Sequence, residues 1–240
     1  MFEKKYFEIR NGKVPVVLSC AHGGYKKSKR IPDKLNGPAI ADQNTYFLSK
    51  MIINGLIRND VQIYYILNKI HRSKVDLNRP ALSISAINQN SIEALNIHNL
   101  FHDCLDRFTQ ECLSKYKRCL LIDLHGFTKP SNEYPDVIFG HVFGKTLTEI
   151  QDSSHEDCNR FWGCAQLQDE ICKNFTLDDG LGIINFNLSY SGGYITQRFY
   201  NQPKINAIQI EIAKYIRTNN ILIKKIVQAL ISAILSSLHD

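Results

Sequence analysis

Residues 118–127, RCLLIDLHGF, decide the architecture. An apolar run this short, ending at a glycine, reads as a buried strand whose last residues enter a loop. Side chains alternate along a strand, so Asp123 and His125 fall on one face, two residues apart. The strand therefore ends by presenting a carboxylate and an imidazole together.

Working outward, 14–20 (VPVVLSC) is a second run of the same kind and stops at His22-Gly23-Gly24. Asp42–Arg58 reads as a helix, with Phe47, Leu48, Met51, Ile52 and Leu56 at helical spacing and Asp42 at its N-terminal end. Val61–Leu67 and Asp136–Val142 read as strands, and Ile205–Ile212 as an alternating one. Helical periodicity covers Asn90–Tyr116, Glu156–Phe175 (with Ser153 and Ser154 as caps) and the amphipathic Asn220–Leu238. Strands alternating with helices predict an α/β fold with a mostly parallel sheet covered on both faces. No repeat, linker or low-complexity tract divides residues 1–240, which are read as a single domain.

The bulk numbers exclude several classes. Hydrophobic residues make up 44% and charged residues 22%, enough for a sizeable core. The net charge of +6 gathers partly in Lys26, Lys27, Lys29 and Arg30, without the basic stripe and interleaved aromatics of a nucleic-acid binder. No stretch is apolar over the 18 residues a membrane span needs, Ile226–Leu238 being short and interrupted. The seven cysteines are odd in number and form no CxxC pair, and the first ten residues lack an apolar signal core. The expected location is cytoplasmic, with free thiols.

Five segments carry candidate chemistry. His22, at a strand end before two glycines, is either a hydrogen-bonded loop histidine or a ligand. With His125 and its neighbour Asp123 it begins to look like a catalytic zinc site, where three protein ligands leave one position open and a carboxylate orients an imidazole. Residues 72–79 (RSKVDLNR) place Arg72, Asn78 and Arg79 where they suit carboxylate recognition, with Asp76 able to hold one guanidinium. In 208–212 (IQIEI), Gln209 and Glu211 share one face. Glu211 is either a general base or part of a half-exposed sheet face. Residues 191–198 (SGGYITQR) join two glycines to Tyr194 and Arg198, as a turn or as a loop closing over a small anion.

In this order the strand-end His-Gly, VDLNR, IDLHGF, GGYITQR and IQIEI resemble the N-formylglutamate amidohydrolase family over about residues 15–217. That family is similar to the zinc carboxypeptidase and aspartoacylase group. The resemblance implies a three-layer α/β/α fold around a mixed sheet and one Zn²⁺ per chain. It implies His22 and His125 as ligands, Glu211 as general base, Arg72 on the scissile carbonyl, and Asn78 and Arg79 on a substrate carboxylate. Tyr194 and Arg198 would contact a side-chain carboxylate. Tyr25 stands where the wider group has a glutamate ligand; family members similar to this chain carry an acidic residue at the start of the following helix, so the resemblance implies Asp42 as the third ligand, with Asp76 as its competitor. The early loop reads Ala-His-Gly-Gly where Pro-His-Ser-Gly is commoner, which bears on substrate identity. The implied activity is hydrolysis of a small anionic N-acyl amino acid such as N-formylglutamate. The alternatives are a carboxypeptidase-like peptidase and a non-catalytic binding protein on the same fold. No nucleic-acid or membrane partner is expected.

Overall fold

The computed structural model describes residues 2–150, 160–183 and 188–239. In chain order the elements are α1 (Phe2–Tyr6), β1 (Phe7–Arg10), β2 (Val16–Cys20), α2 (Thr45–Arg58), β3 (Tyr64–Asn68), α3 (Ile92–Tyr116) and β4 (Cys119–Phe127). Then follow β5 (Val137–Gly140), α4 (Cys164–Cys172), β6 (Leu177–Asp178), α5 (Tyr194–Gln197), β7 (Ile205–Ala213), α6 (Lys214–Thr218) and α7 (Leu222–Ser237). The strands among the described residues form one mixed sheet in the order β1-β3-β2-β4-β7-β5-β6. The centre, β3-β2-β4-β7, is parallel. β1 joins β3 and β5 joins β7 antiparallel, and β6 runs parallel to β5.

Alternation along the central strands feeds two separate cores. Leu18, Leu120, Ile122, Ile208 and Ile210 pack under α2, α4 and α7, in one core with Leu48, Ile52, Leu56, Leu167 and Leu230. On the other face Val17, Ile66, Leu121 and Ala207 pack under α3, against Ile97, Phe101, Leu105 and Phe108. Two helical layers thus sandwich the sheet, which is the three-layer α/β/α arrangement. The same alternation carries Asp123 and His125 of β4, and Gln209 and Glu211 of β7, onto the α3 face. Every residue of β7 is buried, so Glu211 does not belong to a half-exposed sheet face.

Several boundaries differ from expectation. α2 begins at Thr45 because Asn44 adopts a left-handed conformation (φ 66°), and Asp42 stands outside the helix without capping it. The helix expected over Glu156–Phe175 is shorter. Residues 156–159 and the expected caps Ser153 and Ser154 lie outside the described residues, and α4 starts only after Gly163, whose φ of 76° is not helical. β5 stops at Gly140, before Val142 and Phe143 turn to positive φ. The edge strands β1 and β6 are too short to announce themselves by period. Six cysteines are free, and Cys158 lies outside the described residues. Among the described residues no helix is long and apolar enough to cross a membrane.

Candidate metal centre

The centre lies at the carboxyl ends of the parallel strands, where open α/β sheets gather their ligands. β2 ends one residue before Ala21-His22, β4 carries Asp123 and His125, and β7 carries Gln209 and Glu211. Parallel register sets Asp123 beside Gln209 and His125 beside Glu211. The loop after β3 brings Arg72, Asp76 and Asn78, and the loop before α2 brings Asp42.

Each imidazole is held from behind by a carboxylate. His22 Nε2 lies 2.7 Å from Asp76 Oδ1, and His125 Nε2 lies 2.7 Å from Asp123 Oδ2. A carboxylate only accepts, so both Nε2 atoms carry the proton and donate it. Ser19 Oγ donates to the other oxygen of Asp123 at 2.6 Å, and Arg72 Nε donates to Asp76 Oδ2 at 2.8 Å. Both Nδ1 atoms then face Asp42 Oδ2, at 3.5 Å from His22 and 3.3 Å from His125. Asp42 is fixed by the main-chain N–H of Gly126, which donates to the same oxygen at 3.1 Å. One ligand atom from each of His22, Asp42 and His125 lies within 4.8 Å of the others, and all three residues are buried.

These residues fit a divalent cation. Four buried carboxylates, Asp42, Asp76, Asp123 and Glu211, surround the two imidazoles. Such a concentration of negative charge is costly without a compensating cation. His22 Nδ1 is buried without a hydrogen-bond partner among the described residues. Burial works against a charged His125, yet Asp123, Asp42 and Glu211 raise its pKa well above the ordinary histidine value. Burial likewise opposes ionisation of Asp42, but the neighbouring His125 and His22 hold its carboxyl well below the usual range. The site thus attracts positive charge at the point where the ligand atoms converge.

Asp76 lies outside this cluster, gripping His22 and Arg72 instead. Burial pushes its carboxyl up, and the stronger opposing pull of those two partners leaves it well below the usual range. Of the two aspartates, Asp42 is the one that stands with the imidazoles.

Glu211 is organised differently. Its Oε1 accepts from Gln209 Nε2 at 2.9 Å, while Oε2 is buried without a partner among the described residues. Burial, reinforced by Asp42, pushes this carboxyl up to about 7 against the pull of His125, His22 and Arg72. Gln209 Oε1 accepts from Gly193 N at 2.8 Å and from Asn78 Nδ2 at 3.2 Å. Asn78 Oδ1 accepts from Ile195 N at 2.9 Å. A chain of amides therefore connects Glu211 to the loop that enters α5.

A cavity of about 300 Å³ opens onto these groups, lined by His22, Asp42, Arg72, Asn78, Arg79, His125 and Glu211 together with the Phe127–Thr128 and Ser189–Gly193 regions. Arg72 is engaged with Asp76 and stands 3.7 Å from Asp42 Oδ1. Arg79 has no ion pair among the described residues. Tyr194 and Arg198, expected at the substrate, do not line the cavity. The start of α5 turns Tyr194 onto the rings of His98 and His102. Arg198 donates to His102 Nδ1 at 2.8 Å and to Asp106 Oδ2 at 2.6 Å, both on α3. Tyr190 and Ser189 line the cavity instead, and no spacing in the sequence distinguished them.

A three-layer α/β/α protein with a candidate metal centre at the carboxyl ends of its central strands is the class that fold and site define. Residues 87–216, more than half of the chain, match the profile of the N-formylglutamate amidohydrolase family, and the chain belongs to that family. The matched span includes His125 and Glu211; His22, Asp42, Arg72, Asn78 and Arg79 precede it. The fold is similar to a crystal structure of N-formylglutamate amidohydrolase from Ralstonia eutropha JMP134, with a TM-score of 0.67, 14% identity and 98% of each chain covered. It is also similar to gene product Atu2144 from Agrobacterium tumefaciens, with a TM-score of 0.64, 16% identity, and 98% of this chain and 95% of that one covered. No curated protein sequence matches the chain.

Proposed function

We propose that this protein is a zinc-dependent amidohydrolase cleaving the amide bond of a small N-acyl amino acid, of which N-formylglutamate is the type. The observation that carries the reading is the convergence of both Nδ1 atoms on Asp42, with each Nε2 secured by its own carboxylate. Carboxylate-backed imidazoles of this kind are the usual support of a metal ligand. His22, Asp42 and His125, which all line the cavity, would hold the ion. When bound, zinc supplies a water acidified toward a pKa of about 7 and a Lewis acid for the carbonyl.

The remaining work falls to side chains. Glu211, which lines the cavity and whose Oε2 is unpartnered among the described residues, accepts a proton from the attacking water and delivers it to the leaving nitrogen. Gln209 holds the other carboxylate oxygen, so the base keeps one orientation. Arg72, already anchored by Asp76, presents positive charge beside the carbonyl oxygen as it becomes anionic. Arg79, which lines the cavity without an ion pair among the described residues, takes the substrate carboxylate. The cavity's volume suits a ligand of this size. Family membership and fold support hydrolysis of an amide in such a site.

Metal analysis of the purified protein, coupled to a screen of N-formyl and N-acetyl amino acids, tests the proposal. About one zinc per chain is expected, lost in His22→Ala and in His125→Ala, together with turnover. Full zinc occupancy in both variants would refute the ligand assignment.

A further inference from the structure

Arg217 lies in α6, directly after β7, and is 3% exposed. Its guanidinium donates to three main-chain carbonyls: Nε to Ile212 at 2.9 Å, Nη2 to Phe127 at 3.2 Å, and Nη1 to Gln43. Each carbonyl belongs to a different segment of the site. Gln43 follows Asp42, Phe127 stands two residues after His125, and Ile212 follows Glu211. Asn44 Nδ2 donates back to the Arg217 carbonyl at 2.8 Å, closing the tie to the Asp42 loop. No carboxylate forms an ion pair with Arg217 among the described residues. A planar fork with five donors can reach three carbonyls at once, and an ammonium cannot reproduce that geometry.

Gly126 makes this arrangement possible. A Cβ there would stand 2.2 Å from the Arg217 Cζ and 2.3 Å from its Nε. The glycine after His125 thus admits a guanidinium from behind the strand.

We infer that Arg217 is the positioning residue that fixes Asp42, His125 and Glu211 relative to one another, through one carbonyl in each of their segments. Its consequence for metal binding rests on the reading given under Proposed function. Loss of a supporting contact of this kind costs a metal site roughly 10–100-fold in affinity.

Two variants of the full chain test the inference. Arg217→Lys keeps the charge but loses the fork, and Gly126→Ala keeps Arg217 but displaces its guanidinium. Zinc affinity is measured by competition with a chromophoric chelator, and the thermal midpoint in excess EDTA. Amide exchange of residues 42–45, 126–128 and 211–213 is followed in EDTA, with α3 as reference. Both variants should fold, bind zinc about 10–100-fold more weakly, and exchange faster in all three segments while α3 is unchanged. Zinc affinity equal to wild type, or faster exchange confined to residues 214–218, would overturn the inference. So would failure of both variants to fold, which would make Arg217 a determinant of the fold rather than of the site. If the wild-type chain binds no zinc, the proposed function fails, while the exchange result still decides whether Arg217 ties the three segments.

Discussion

Glu211→Gln separates the two things a buried carboxyl does, because it keeps the shape and removes the proton acceptor. In the zinc-loaded protein kcat should fall by about 10²–10⁴ with metal content unchanged. Stability should move the other way. The Glu211 pKa is about 7 in the folded protein against an ordinary 4.5, so between those values the native state binds more protons than the unfolded one. In EDTA, wild type should therefore lose stability from this group as pH rises from 4.5 through 7, and Glu211→Gln should not. His102 has the opposite sign. Burial, with His98 and Arg198 adding to it, pulls its pKa from 6.5 to about 3, and its Nδ1 accepts from Arg198. Its contribution is complete above 6.5 and is lost as pH falls toward 3. His102→Gln should flatten that acid-side slope by up to about 1.4 kcal/mol per pH unit in urea titrations; an unchanged slope would mean that His102 does not titrate this way. Strand alternation made the shared faces of Asp123 and His125, and of Gln209 and Glu211, legible in the sequence. The direction of Tyr194 and Arg198 was not, because two glycines before a four-residue helix leave its orientation to tertiary contacts. Nothing in the sequence marked Arg217, whose guanidinium, among the described residues, donates only to main-chain carbonyls.

At the scale of elements, long periodic segments declared themselves. Ile92–Tyr116 follows a Ser91 whose side chain accepts from Ala94 N, and the central strands are apolar runs bounded by polar loops. Failures came where one residue's conformation overrides the pattern. α4 begins at Cys164 because Gly163 has a φ of 76°, and a Cβ there would meet Leu120 Cδ2 at 2.6 Å. Gly163→Ala combines an unfavourable backbone with a clash in the core. It should cost about 1–3 kcal/mol in chemical denaturation. A variant as stable as wild type would show that α4 can begin elsewhere.

For the whole molecule, a ligand that binds only the folded chain stabilises it by mass action. Zinc at about 100 times its Kd should add about 2.7 kcal/mol, or roughly 5–10 °C in Tm for a chain of this size. EDTA should reverse the shift, and a chain carrying both His22→Ala and His125→Ala should show none. Strand order also bears on how the protein is made. β7, residues 205–213, inserts between β4 and β5, two strands already present earlier in the chain. A ribosome delivers residues in order, so β4 must wait with one edge unpaired until the last strand of the sheet emerges. Glu211 and Arg217 arrive with that strand or just after it, so the nascent chain completes its sheet and its candidate metal centre in the same step. Until then an apolar strand edge stays open to the wrong partner, and exposure to aggregation lasts until residues 205–213 have emerged.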